Sequence, residues 1–255
     1  MAEKSPNAGP YSYAANNPII YKDPDGRDIV YFNSEGVETS RIVSNKVFKT
    51  YVEDGNIDFT RSNISYTEAP MPNIIKNKGN SDTTSPAYQK FDYEIAAQTF
   101  IFNKNKNNGI TPTHTNGKLI EDPSTIPDLD PTLVKAIIMR ETNMGTDNST
   151  LCQNCSFSDI MQSNVYYNEK SNDWSDSKKQ FGLSKGKTPS PRLSIKAGIG
   201  ILYQKGLETN DGKTLWDGGS TWENATQKYN NKFKDYSKNV FEMKNNSTKP
   251  TKNNY

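Results

Sequence analysis

Apolar positions recur at three- and four-residue spacing from Leu133 to Ile138, the strongest helical pattern in the chain. Asp130 stands at the N-cap position, Pro131 at the first helical position, and Gly145 where such a helix stops. Closer to the start, Ile29–Phe32 and residues 41–43 flank an Asn-Ser-Glu-Gly turn and predict a hairpin, with residues 47–52 as a third strand. Residues 54–86 are polar and interrupted by Pro and Gly, which reads as loop. Ser85-Pro86 opens a helix with Tyr88, Phe91, Ile95 and Phe102 on one face; residues 103–129 return to an Asn- and Pro-rich loop. Residues 193–207 fit two periods. Ile195, Ile199, Leu202 and Tyr203 match a helix, whereas Leu193, Ile195, Ala197, Ile199 and Ile201 alternate as a strand does. Helix is the expectation, with Gly198 and Gly200 weakening it but permitting close packing. Ser220-Thr221-Trp222-Glu223 is a capping box that opens a helix with Trp222, Ala225 and Tyr229 inward, and Phe233, Tyr236 and Val240 continue the apolar face. The Asn- and Lys-rich tail from 244 to 255 predicts disorder. There is no internal repeat. The pattern predicts an α+β chain, mainly α-helical, with a small β-hairpin region near the N-terminus.

Glu141 breaks the pattern of the first helix. It falls three residues after Ile138 and four after Ile137, on the apolar side, in the last turn. Burial and the negative end of the helix dipole both disfavour a charged glutamate there, an environment that suits a general acid. The plain alternative is a helix-end residue that reaches water or pairs with a cation.

Composition narrows the field. A net charge of +2 and a pI near 8.3 give no reason to expect nucleic acid as a partner. With 32% hydrophobic residues and a mean hydropathy of -0.88, the core is modest and the surface wide. No stretch approaches the roughly 20 apolar residues of a membrane span, so no membrane insertion is expected. The first ten residues lack the apolar centre of a signal peptide, so export, if any, relies on another route. Cys152 and Cys155 form a lone CxxC, and His114, in a turn-rich stretch read as surface loop, is the single histidine. Zinc needs two further ligands, so no metal and no cofactor are expected. The cysteines read as a local disulfide or as two free thiols bracing a loop.

Residues 11–28 run through Tyr11, Tyr13, Asn16-Asn17-Pro18 and Asp23-Pro24-Asp25-Gly26, a leader of turn signals between tyrosines. In that order they resemble the end of the RHS-repeat-associated core, after which that family places a variable toxin domain. Asp25-Gly26-Arg27 stand where the family usually continues with Gly-Leu. Further on, four segments stand in order: Ile-Ile-Met-Arg-Glu-Thr-Asn-Met-Gly (137–145), Asp-Ile-Met-Gln-Ser-Asn (159–164), Ser-Ile-Lys-Ala-Gly-Ile-Gly-Ile-Leu (194–202) and Ala-Thr-Gln-Lys-Tyr-Asn (225–230). Together they resemble the lytic transglycosylases, whose fold is that of soluble transglycosylase and goose lysozyme. The resemblance spans residues 128–243, just under half the chain. It implies four regions: a leader (1–28), a hairpin, linker and helix region (29–127), a lysozyme-like domain (128–243) and the tail (244–255).

By that resemblance Glu141 is the single acid/base. Thr142, Met161, Gln162, Asn164, Tyr229 and Asn230 are expected to bind substrate, Met161 and Gln162 lining the sugar cleft and Tyr229 and Asn230 lying beside the scissile bond. Core filling for Met161 and a buried helix aromatic for Tyr229 are the bland alternatives. Glycosidases usually need two carboxylates. A lytic transglycosylase uses one, because the C6 hydroxyl of N-acetylmuramic acid attacks within the substrate and closes a 1,6-anhydro ring. Asp159 stands open as a second carboxylate that would make the protein a hydrolytic muramidase; as a loop cap it would be structural. The implied partners are peptidoglycan glycan strands, an RHS-type delivery shell and an immunity protein, with action in the periplasm or cell wall of target bacteria. Two rivals remain: a non-catalytic glycan-binding module, and an adaptor domain in which residues 1–110 matter most.

Overall fold

The computed structural model describes residues 28–44, 48–58, 63–76, 85–113, 120, 122–146, 159–164, 176–207, 209–210, 213–214, 216 and 221–250. Residues 1–27, on which the resemblance to an RHS-associated core rests, and His114, Cys152 and Cys155 lie outside them.

The chain is α+β: the described residues form five α-helices and a small four-stranded sheet near the N-terminus. The expected hairpin is β1 (Asp28–Phe32) and β2 (Glu38–Val43), paired antiparallel, with Gly36 at φ 73° in the turn. β3 (Lys49–Asp58) crosses to the other side of β1 and pairs with it in parallel. β4 (Asn63–Ala69) pairs antiparallel with β3, giving the order β2-β1-β3-β4. β5 (Ile74–Ile75) follows. The loop expected over 54–86 is therefore corrected: β3 runs on to Asp58, and β4 and β5 lie within that range. β4 escapes the apolar pattern because it is an edge strand in which, from Ile64 to Ala69, Ala69 alone is buried. Ladder hydrogen bonds hold it, along with the contact of its Tyr66 ring with Tyr31 at 5.2 Å.

Helix α1 (Asp92–Asn107) starts later than Ser85-Pro86, which forms only a single 3-10 turn with Ala87 and Tyr88. It also extends past residue 103. Two of its faces are buried. Tyr93, Ala96 and Ala97 pack on Val30, Phe32 and Val52 of the sheet, while Ile95 joins the helical core. Burial on both sides blurs the single stripe that a surface helix shows. At its C-terminal end Lys106 is fully buried, and its Nζ donates to the Ile126 carbonyl at 2.6 Å.

α2 (Pro131–Thr142) begins as expected, with Asp130 accepting from Thr132 N at 2.8 Å and Pro131 at the first position. α3 (Pro191–Gly206) settles the two-period segment as helix. Its glycines let neighbours approach: a Cβ on Gly198 would lie 2.5 Å from Met161 Sδ, and one on Gly200 2.3 Å from the Phe181 ring. A small ribbon of β6 (Thr209–Asn210) and β7 (Lys213–Thr214) follows. Then come α4 (Trp222–Tyr229), α5 (Tyr236–Asn245) and β8 (Ser247–Thr248). The Thr221 N-cap makes no side-chain capping bond, and Phe233 is 53% exposed rather than on the buried face.

Two further expectations are corrected. Residue 128 does not separate two cores: Ile75, Ile95 and Ile126 share one cluster with Ile137, Ile199, Trp222 and Val240, and Phe102 packs against it. Nor is the tail irregular from 244. Lys244 pairs with Asp130 at 3.1 Å, and β8 pairs with β5, where Asn73 Nδ2 donates to Ser247 Oγ at 3.0 Å. Polar composition hid this ordering, because pairing with a distant strand leaves no local signal. Residues 251–255 lie outside the described residues. None of the described helices is long and apolar enough to cross a membrane.

Candidate active site

α2 ends in three consecutive residues of left-handed backbone, Asn143 (φ 49°), Met144 (φ 58°) and Gly145 (φ 69°). The turn is pinned by the fully buried Met144 and by Gly145 N donating to Thr142 Oγ1 at 3.1 Å. It leaves Glu141 half-buried at the helix end. Two other helices reach its carboxylate. Tyr236 at the start of α5 donates its hydroxyl to Oε1 at 2.5 Å, and Asn230 just past α4 donates Nδ2 to the same oxygen at 3.2 Å. Among the described residues nothing donates to Oε2. One oxygen is therefore anchored, and the other takes no donor among the described residues.

The second component is the tight turn at residues 159–164. Asp159 is buried, and both oxygens of its carboxylate accept hydrogen bonds. Oδ1 accepts from Ser163 Oγ at 3.0 Å and Ser194 Oγ at 2.5 Å, and Oδ2 accepts from Asn164 N at 2.6 Å. Met161 N in turn donates to Ser194 Oγ at 3.0 Å, tying the turn to α3. Tyr229 clamps it from the other side by donating to the Met161 carbonyl at 2.6 Å. Gln162 is held at φ 51°, which costs an ordinary residue roughly 1–2 kcal/mol. Among the described residues its side-chain amide makes only a long contact, 3.4 Å to the Asp159 carbonyl, and the residue is half-buried. Strained non-glycine backbone of this kind concentrates at binding and catalytic sites.

The expected site residues divide into two groups. Glu141, Gln162, Tyr229 and Asn230 come together around the end of α2, on partly exposed positions. Thr142, Met161 and Asn164 do not face a cleft. Thr142 is buried, its hydroxyl placed 3.2 Å from the Ile138 carbonyl and 3.0 Å from that of Ile160. Met161 fills the space above Gly198, the core-filling role. Asn164 donates to the Ser184 and Lys187 carbonyls, both at 2.8 Å. These three are corrected from ligand contacts to supports: their polar atoms and their volume are spent inside the protein. Asp159 is likewise a loop cap, with three donors already on its two oxygens.

Tyr236 is the residue that sequence reasoning missed. It reads as part of an apolar face because its ring is buried. The available signal was the hydroxyl itself, which needs a partner once the ring is inside. Burial first, then the negative charge of Glu141, pushes the Tyr236 and Tyr229 hydroxyls well above their ordinary range, so both remain protonated donors. Among the described residues no cluster of His, Cys, Asp or Glu is placed to hold a metal ion. Comparison with family models, curated proteins and solved structures returned no match for the chain.

Proposed function

We propose that this chain is a peptidoglycan-cleaving glycosidase with a lysozyme-like helical fold, acting as a lytic transglycosylase on the bond between N-acetylmuramic acid and N-acetylglucosamine. The observation that carries the proposal is the asymmetry at Glu141: Oε1 takes hydrogen bonds from Tyr236 and Asn230, while Oε2 has none among the described residues. A carboxyl group fixed through one oxygen presents the other in a constant direction, as proton transfer at short range requires.

In this reading Glu141 is the acid: its Oε2 delivers a proton to the glycosidic oxygen as the bond to the muramic C1 breaks. The resulting carboxylate then takes the proton of the muramic C6 hydroxyl as that oxygen bonds to C1. The products are a free N-acetylglucosamine end and a 1,6-anhydro ring, and no water is consumed. Gln162, Tyr229 and Asn230 border the reacting sugars. The burial of Asp159 and the donors on both of its oxygens favour transglycosylation over hydrolysis, since a base that activates water must be able to reach that water. The resemblance of residues 11–28 extends the reading to an antibacterial toxin carried by an RHS-type shell, matched by an immunity protein and acting in the target's periplasm or cell wall.

Release of soluble fragments from purified peptidoglycan tests the enzyme assignment. The wild type is expected to solubilise sacculi, and Glu141→Gln to lose at least about 100-fold of that rate, general acid–base catalysis being worth roughly that much or more. An intact wall after treatment with folded wild-type protein refutes it.

A further inference from the structure

Beside the Glu141 end of α2 a groove of about 280 Å³ follows the seam between α2 and α5. We propose that it binds a carboxylate-bearing peptide substituent of the glycan, which in peptidoglycan is the stem peptide on N-acetylmuramic acid. The identity of the ligand rests on the reading above; the groove's chemistry does not.

Arg140 stands at the mouth, adjacent in sequence to Glu141. Asn239 and Met243 follow Tyr236 on the same face of α5, and Asn246 lies one step beyond. From Asn239 to Asn246 the helical rise gives roughly 10 Å, the reach of about three extended residues. At the far end, Ile75 of β5 pairs with Ser247 of β8, which sets Lys76 beside Asn246. A cation therefore marks each end, and both are exposed.

Neither cation has an ion-pair partner among the described residues. Arg140 places its guanidinium over the Phe233 ring at 5.6 Å, which uses its face and leaves its N–H edge for a carboxylate. Glu242 also lines the groove but holds an interaction of its own. Between the cations lie the apolar Met139 and Met243 and the amide of Asn239. Cations at both ends, methionines between them and amides for backbone groups suit a short peptide with small apolar side chains and free carboxylates. A compact inorganic anion would use only one end.

The test uses the full chain carrying Glu141→Gln, so that nothing turns over, and isothermal titration with two probes: N-acetylglucosaminyl-N-acetylmuramyl tetrapeptide and the same disaccharide without peptide. The peptide-bearing probe is expected to bind roughly tenfold or more tightly, as one charge-assisted hydrogen bond suffices to give. Adding Lys76→Gln and Arg140→Gln together is expected to erase that difference, with the unfolding temperature unchanged because both residues are exposed. Lys76→Glu alone is expected to reduce it as well. Equal affinities, a preference that survives the double substitution, or no binding of either probe overturns the inference. A peptide preference in a protein that leaves the wall intact would retain the groove and reject the catalytic reading. Cleavage without the preference would do the reverse.

Discussion

Glu141 meets Tyr236 only because α2 and α5 arrive at one point, 95 residues apart in sequence. Replacing Tyr236 by Phe keeps the buried ring and removes one donor. A hydrogen bond to a charged group is worth about 1.5–3 kcal/mol, so kcat is expected to fall roughly 10- to 100-fold with KM little changed. A rise in KM at constant kcat would instead make Tyr236 a binding residue. Glu141 was legible in the sequence because a carboxylate interrupts an apolar stripe. Tyr236 was not, because an aromatic on a helix face looks the same whether its hydroxyl is idle or engaged. Thr142, Met161 and Asn164 show the converse. Their order along the chain says that they lie near one another, but side-chain direction decides whether a residue faces outward or braces a turn.

The elements most legible locally were those with one buried face and clear ends, such as α2 with its Asp130 cap and Pro131. Elements defined by partners, namely β4, β5 and β8, carried no such mark. The contact between α3 and the turn at 159–164 ties element to site. Gly198→Ala would set a Cβ 2.5 Å from Met161 Sδ and 2.7 Å from Met161 Cβ. The sulfur can swing aside, but the Cβ moves only with its backbone. Overpacking of this kind costs about 1–3 kcal/mol, so both the unfolding midpoint and the turnover are expected to drop. Unchanged turnover would show that the turn does not position the site.

Where α1 meets the sheet, burial first, then the charges of Glu38 and Asp92, raises the Glu94 carboxyl to about 7 from its ordinary 4.5, against the lowering effects of its own backbone N–H and of Arg41. The folded chain thus holds a proton that the unfolded chain has released between those two values. Stability from Glu94 is full below about pH 4.5 and is lost as pH rises through 7. Glu94 keeps part of its surface exposed, so the loss is discounted to about 1–2 kcal/mol. Glu94→Gln is expected to flatten that slope in urea midpoints taken from pH 5 to 8. An identical slope in the variant would contradict the assignment.

The molecule as a whole has one helical core fed from both sides of residue 128, with the sheet attached through α1. Residues 128–243 alone lose Ile75, Ile95, Ile126 and the Phe102 contact. They are expected to show no cooperative thermal transition, whereas a chain starting at residue 28 is expected to keep one. A cooperative transition in the shorter piece would restore the boundary read from the sequence. The motif-bearing half was visible as a pattern; its dependence on α1 and β5 was not, because a long-range contact leaves no period in either partner.

The central claim is that one carboxyl group, Glu141, both donates and recovers the proton. Mass spectrometry of soluble products from purified peptidoglycan tests it most directly, with the wild type beside Glu141→Gln. The expected result is 1,6-anhydro-muropeptides from the wild type alone. Muropeptides with reducing ends would contradict it, placing water rather than the C6 hydroxyl at the muramic C1.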